Sequence, residues 1–121
     1  MPITIDGVVI KGRQQGERLG FKTANLKIKP GQYKPGVFVS ETTIRQDKYP
    51  GVSHVGPAPT FNQNEWLCET YLFDYQKILY GQKISVKILK KIRDSKKFDN
   101  PDELKQAIER DVQIARDFFK Q

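Results

Sequence analysis

A mainly β fold is what this sequence predicts: a small antiparallel barrel or sandwich with a single helix packed on it. Three observations point there. Glycine and proline punctuate the first two-thirds of the chain, short β-type runs fill the spaces between them, and a helical period takes over only at the end. With 121 residues and no linker, repeat or low-complexity stretch, residues 1–121 read as one domain. At that size a fold buries roughly two-thirds of the surface its unfolded chain exposes, which is enough for a real core.

The turn-forming points are Gly7, Gly12, Gly16, Gly20, Pro30-Gly31, Pro35-Gly36, Pro50-Gly51, Gly56-Pro57, Pro59 and Gly81. Between them lie short β-type runs, among them Ile3 to Ile10, Gly36 to Arg45, Leu67 to Tyr75 and Lys83 to Ile92. The last alternates most clearly. Ile84, Val86, Ile88 and Ile92 point one way and Lys83, Ser85, Lys87 and Lys91 the other, with Leu89 the exception. Asn100-Pro101-Asp102-Glu103 then supplies an N-cap, a proline at the first helical position and a glutamate three residues after the cap. Leu104, Ala107, Ile108, Val112, Ala115 and Phe119 recur at helical spacing to the C-terminus.

Composition excludes several classes. Hydrophobic residues make up 37% of the chain, with seven Phe and five Tyr among them, so it is no disordered tail. No apolar run approaches the roughly 20 residues of a membrane span, and the opening MPITIDG lacks the basic start and apolar middle of a signal peptide. One cysteine, Cys68, excludes an internal disulfide framework and an all-cysteine metal site; a reducing cytoplasm is the expected compartment. The net charge of +7 is concentrated. Residues 77–97 hold Lys77, Lys83, Lys87, Lys90, Lys91, Arg93, Lys96 and Lys97 against Asp94 alone, and the rest of the chain is neutral. Such a stripe suits nucleic acid, an anionic membrane or a polyphosphate, and equally the wet face of a half-buried strand.

Four groups of residues could carry chemistry. Gly12 to Gly20 follows the first strand, and glycines there would let backbone N–H groups approach a phosphate while Arg13, Arg18 and Lys22 supply charge. No Gly-Lys-Ser/Thr closes it, so it is not a P-loop, and a plain turn accounts for it as well. Thr23 and Asn25 sit two apart, so on an extended segment their oxygens share a face and could meet one hard cation; a pair of turn-forming hydrogen bonds is the simpler alternative. Glu69 alternates onto the face of Leu67, Tyr71 and Phe73, where a carboxylate is costly unless paired or used. It is either a base for a substrate hydroxyl or an edge residue reaching solvent or a lysine. His54, the one histidine, has no metal-ligand partner at suitable spacing and suits a structural role. Cys68 suits packing, and Trp66 suits a core or pocket wall.

In order and spacing, these segments resemble the riboflavin kinase family, most of all the kinase half of bacterial bifunctional riboflavin kinase/FAD synthetases. The likeness runs through Gly12 to Leu26 (with Thr23-Ala24-Asn25 in the family's signature), Gly36-Val37-Phe38, Pro50 to Gly56, Pro59-Thr60-Phe61, Glu69 to Asp74, Leu79-Tyr80-Gly81, Ile92-Arg93, Lys97-Phe98 and the helix from Leu104 to Phe119. It covers nearly the whole chain.

The resemblance implies a six-stranded antiparallel barrel of Greek-key type with a C-terminal helix, and the reaction ATP + riboflavin → ADP + FMN. It implies that Thr23 and Asn25 hold Mg2+ and the nucleotide phosphates, that Gly12, Gly16, Arg18 and Gly20 wrap those phosphates, and that Glu69 is the catalytic base. Arg93 and Phe98 would lie in the flavin loop. The expected partners are ATP and riboflavin, with no nucleic acid, no membrane, and a monomer as default. Two departures stand out. Lys22 replaces the signature's proline, and Ser95 stands where the family commonly has a glutamate. Nothing here corresponds to the adenylyltransferase half of the bifunctional enzymes. The rival expectations are a flavin- or nucleotide-binding module impaired through Lys22 and Ser95, and a basic barrel that binds nucleic acid. The second lacks interleaved aromatics, since the stripe contains only Tyr80.

Overall fold

A computed structural model describes residues 3–11, 21–57, 65–75, 77 and 79–120. Six strands precede one helix: β1 (Ile3–Val8), β2 (Thr23–Ile28), β3 (Gly36–Ile44), β4 (Asp47–Pro57), β5 (Trp66–Leu72), β6 (Lys83–Arg93) and α1 (Pro101–Phe119). All pairings are antiparallel, in the spatial order β1-β6-β3-β4-β5-β2. The consecutive strands β3, β4 and β5 lie side by side and β6 returns beside β3, which is a Greek key. The sheet nearly closes on itself. Beyond β1 the chain runs on to Ile10, whose N–H donates to the Asn25 carbonyl on β2 at 2.8 Å. The expected barrel with a C-terminal helix is therefore the observed one.

Strand alternation sorts the side chains into two clusters. Ile5, Leu26, Ile44, Val55, Cys68, Leu72, Ile84 and Val86 fill the barrel interior with Val9, Ala24, Ile28 and Leu79. Val37, Val39, Val52 and Phe73 lie on the outer face and pack with Ala115, Val112, Phe118 and Phe119 of α1. Inside the barrel, Ser53 Oγ bonds Ser40 Oγ and Thr70 Oγ1, both at 2.7 Å, so buried hydroxyls satisfy one another. Cys68 is wholly buried beside Thr70, and burial pushes its thiol up to about 11; it is a packing residue, as expected.

Several expectations need correction. The run from Ile3 ends as a strand at Val8, with Ile10 an isolated bridge, and Pro50-Gly51 and Gly56-Pro57 lie within β4 rather than at turns. The alternation of β6 holds only from Lys83 to Ile88. Val39 pairs with Lys90 but Ser40 with Ile88, and Val37 with Arg93 but Phe38 with Lys91, so Leu89 and Ile92 are each extra residues in bulges. Each bulge reverses the parity. Ile92 therefore joins Leu89 in the outer cluster beneath α1, while Lys91 lies opposite Phe38, whose ring packs against the interior cluster. The run from Leu67 ends as a strand at Leu72, because Phe73 and Asp74 form a turn with Asp74 at φ 60°. The run Gly36 to Arg45 likewise ends at Ile44, and Arg45 begins the turn to β4 at φ 59°.

The helix starts as the sequence predicts. Asn100 accepts a bond from the Glu103 N–H at 2.9 Å, Pro101 occupies the first turn, and Asp102 and Glu103 complement the positive end of the dipole. Its most buried stripe is Ala107, Asp111 and Ala115, with a carboxylate in the middle.

Candidate active site

β2 and β4 flank β5, so Glu69 sits in the sheet interior rather than at an edge. Its cross-strand neighbours are Asn25 on β2 and His54 on β4. The same row continues through Val37 on β3 to Arg93 on β6. Directly opposed residues share a face with Cβ atoms about 4.5–5.5 Å apart, so Asn25, Glu69 and His54 stand together on the outer face. Thr23 lies opposite Tyr71 in the parallel row one pleat away. Thr23, Asn25 and Glu69, which the sequence singled out separately, are thus brought together by register.

Thr23 and Asn25 occupy an extended strand, which removes the turn-forming alternative. Asn25 is 2% exposed, and its Oδ1 is buried without a hydrogen-bond partner among the described residues. A buried carbonyl oxygen in that condition is costly unless something electropositive meets it. No cluster of three or more His, Cys, Asp or Glu suited to a metal occurs among the described residues. A hard cation here would draw on neutral oxygens and on substrate phosphates, the manner in which magnesium is commonly held.

Arg93, at the far end of the row, is engaged by the helix. Its Nε and Nη2 donate to Asp111 Oδ1 and Oδ2 at 2.9 and 2.8 Å, a two-pronged pair in which the Asp111 side chain is 4% exposed. The pair fastens β6 to α1. Nη1 also reaches the Asp94 carbonyl at 3.2 Å, and the guanidinium carbon lies 5.5 Å from the centre of the Phe98 ring. Arg93, the last residue of β6, and Phe98 in the connection that follows therefore meet. His54 Nε2 lies 2.6 Å from Ser95 Oγ. Burial, then the nearby Arg93 cation, holds the His54 imidazole below its ordinary range, with Asp111 pulling weakly the other way.

Aromatic rings, which the sequence offered as core or pocket wall, line up here. Phe21 meets Tyr71 edge to face at 5.3 Å, Tyr71 meets Phe73 at 5.6 Å, and Arg116 of α1 covers Phe73 at 4.4 Å. This line of rings begins beside Thr23 and Glu69. Beyond Thr23 an open cleft is bounded by Lys22, Thr23, Lys77, Leu79 and Tyr80. Asp111 had a signal: it falls four residues from both Ala107 and Ala115, on the apolar face, where an acid demands a partner. Gly12, Gly16, Arg18 and Gly20, and likewise Pro59-Thr60-Phe61, lie outside the described residues. No helix among the described residues is long and apolar enough to cross a membrane.

Residues 1–119 match the family model described as Flavokinase: Riboflavin kinase. The chain is 38% identical over 117 residues to an RNA-binding riboflavin kinase of Bacillus subtilis, covering 96% of this chain and 51% of that protein. It is also 38% identical to the bifunctional riboflavin kinase/FMN adenylyltransferase of Haemophilus influenzae, covering 98% of this chain and 39% of that one. Among solved structures, a Streptococcus pneumoniae protein named a macrolide-efflux protein superposes with a TM-score of 0.83 at 33% identity, over 95% of this chain and 38% of that chain. Riboflavin kinase from Trypanosoma brucei superposes at 0.72 with 24% identity, over 99% and 78%, and shares the fold. The chain spans about half or less of the length of these curated relatives.

Proposed function

The chain belongs to the riboflavin kinase family, and from that membership we propose that it transfers the γ-phosphoryl group of ATP to the 5′-hydroxyl of riboflavin, giving FMN and ADP, in the cytoplasm. The observation that carries the proposal is the register placing Glu69 directly opposite Asn25, with Thr23 two residues away on the same strand face. An acceptor for a proton and two oxygen donors for a phosphate-bound cation then stand on one face.

The steps divide among these residues. The Glu69 carboxylate orients the ribityl hydroxyl and takes its proton as the oxygen attacks the γ-phosphorus; the bond from that phosphorus to the β–γ bridging oxygen breaks, and the electron pair leaves with ADP. Thr23 and Asn25 would hold magnesium, which when bound neutralises charge on the phosphates and helps align them. Lys22 and Lys77, on the cleft beyond Thr23, add positive charge for the same phosphates. Phe98, its ring beside the Arg93 guanidinium at the far end of the row, borders the flat isoalloxazine. Catalysis of this kind is mainly positioning and charge neutralisation, so few groups suffice.

Incubation with riboflavin, ATP and Mg2+ is expected to yield FMN and ADP by chromatography. Glu69→Gln is expected to lower kcat about a hundredfold or more while leaving ATP affinity within about threefold, the range for losing a general base. Unchanged turnover in that variant would remove Glu69 from the mechanism. Riboflavin binding without FMN would instead favour the impaired binding module.

A further inference from the structure

Between the end of β6 and the helix cap, residues 94–99 form a connection of irregular backbone that is nonetheless tied down. Arg93 anchors its start to Asp111, and Asn100 caps α1 at its end. Midway, Ser95 Oγ meets His54 Nε2 at 2.6 Å. This contact reaches from the connection to β4 and lands on the residue directly opposite Glu69. Phe98 follows three residues later, with the Arg93 and Lys96 cations 5.5 and 5.7 Å from its ring centre.

We propose that His54 is a positioning residue for the transfer reaction. Its bond to Ser95 fixes the setting of the 94–98 connection, and with it Phe98, relative to Glu69. This rests on the functional reading above, in which Glu69 receives the riboflavin hydroxyl and Phe98 borders the flavin. The geometry accounts for the choice of side chain. A residue on β4 opposite Glu69 must span from the sheet to a chain that has already left it, and an imidazole delivers a ring nitrogen to that distance with two rotatable bonds. The groups facing the imidazole are Glu69 across the ladder on β5, Arg93 at the end of β6, Asp111 on α1 and the Ser95 hydroxyl. Losing the bond frees the connection and spares Thr23 and Asn25 on β2, so the cost falls on the flavin and not on the nucleotide.

Ser95→Ala tests this in the full chain. The expected result is a riboflavin KM raised about fivefold, the worth of one net hydrogen bond, with the ATP KM within twofold of the parent. Ser95→Thr, which keeps the hydroxyl, is expected to restore most of the loss. As His54 is the sole histidine, its imidazole resonances can be followed without assignment ambiguity; they are expected to move in Ser95→Ala and again when riboflavin saturates the parent. An unchanged riboflavin KM, or an equal rise in both KM values as general loosening would give, overturns the proposal. Riboflavin affinity measured by quenching of its fluorescence separates the two readings. A parent that binds riboflavin without turnover defeats the kinase reading, while the same affinity ratio in Ser95→Ala still decides the role of His54. A parent that binds no riboflavin defeats both.

Discussion

Protonating His54 inside the fold means charging an imidazole that is half-buried and lies near the Arg93 guanidinium. The unfolded chain carries no such penalty and takes up the proton near the ordinary value of about 6.5. Between that value and the lower one of the folded state, the unfolded chain binds more protons, so stability rises with pH there. The contribution is fully present above about pH 6.5 and is lost as the pH falls toward the folded-state value. Urea midpoints measured at pH 7.5 and 5.0 should therefore separate more in the parent than in His54→Gln; equal separations would count against the burial argument. How far such residues were legible in the sequence depended on their partners. Glu69 stood out because a carboxylate alternating onto the face of Leu67, Tyr71 and Phe73 needs a reason. Asn25 stood out through its spacing from Thr23. The pairing of His54 with Ser95 had no such mark, because residues 41 positions apart meet only after β4 and β6 have been set in register. Asp111 went unremarked although it falls on the apolar face of the helical stripe, while its partner Arg93 read as part of a binding loop.

At the scale of elements, β4 shows what makes a strand hard to read. Its sequence, DKYPGVSHVGP, carries Pro50-Gly51 and Gly56-Pro57, which read as turns. Yet both pairs lie within the ladder. Pro50 sits where its carbonyl accepts the Phe73 N–H at 2.9 Å, just past the end of β5. Gly51 is required by proximity: a Cβ there would stand 2.2 Å from the Tyr71 carbonyl oxygen. Gly51→Ala should force β4 away from β5, and a Tm lowered by about 10 °C or more, or failure to fold, is the expected outcome. A change of under 2 °C would show that the two strands can part without cost. By contrast, α1 was legible nearly to the residue, since cap, proline and stripe are all local signals. The first half of β6 was legible for the same reason, through Ile84, Val86 and Ile88. Its second half was not, because the bulges at Leu89 and Ile92 are set by the partner strand β3.

For the molecule as a whole, the +7 charge lies within residues 77–97, and the fold spreads that stretch over unlike surroundings. Lys83 and Lys87 are exposed, Lys91 pairs with Asp94, Arg93 is spent on Asp111, and Lys77 borders the cleft beyond Thr23. A uniform basic stripe in the sequence becomes a set of separate tasks. Closure of the barrel has a different reach. The Ile10 N–H bond that joins the two ends of the sheet is accepted by the backbone of Asn25, the same residue whose side-chain oxygen has no partner among the described residues. Whatever grips that oxygen also steadies the carbonyl on which the seam hangs. Occupancy of the site should then be audible some distance away, as slower solvent exchange of the Ile10 amide when Mg2+ and ADP are added, beyond any slowing common to the other strands. An Ile10 amide whose exchange tracks the rest of the sheet would mean that seam and site keep separate time. If it does not, a single amide proton becomes a clock for the filling of the proposed site.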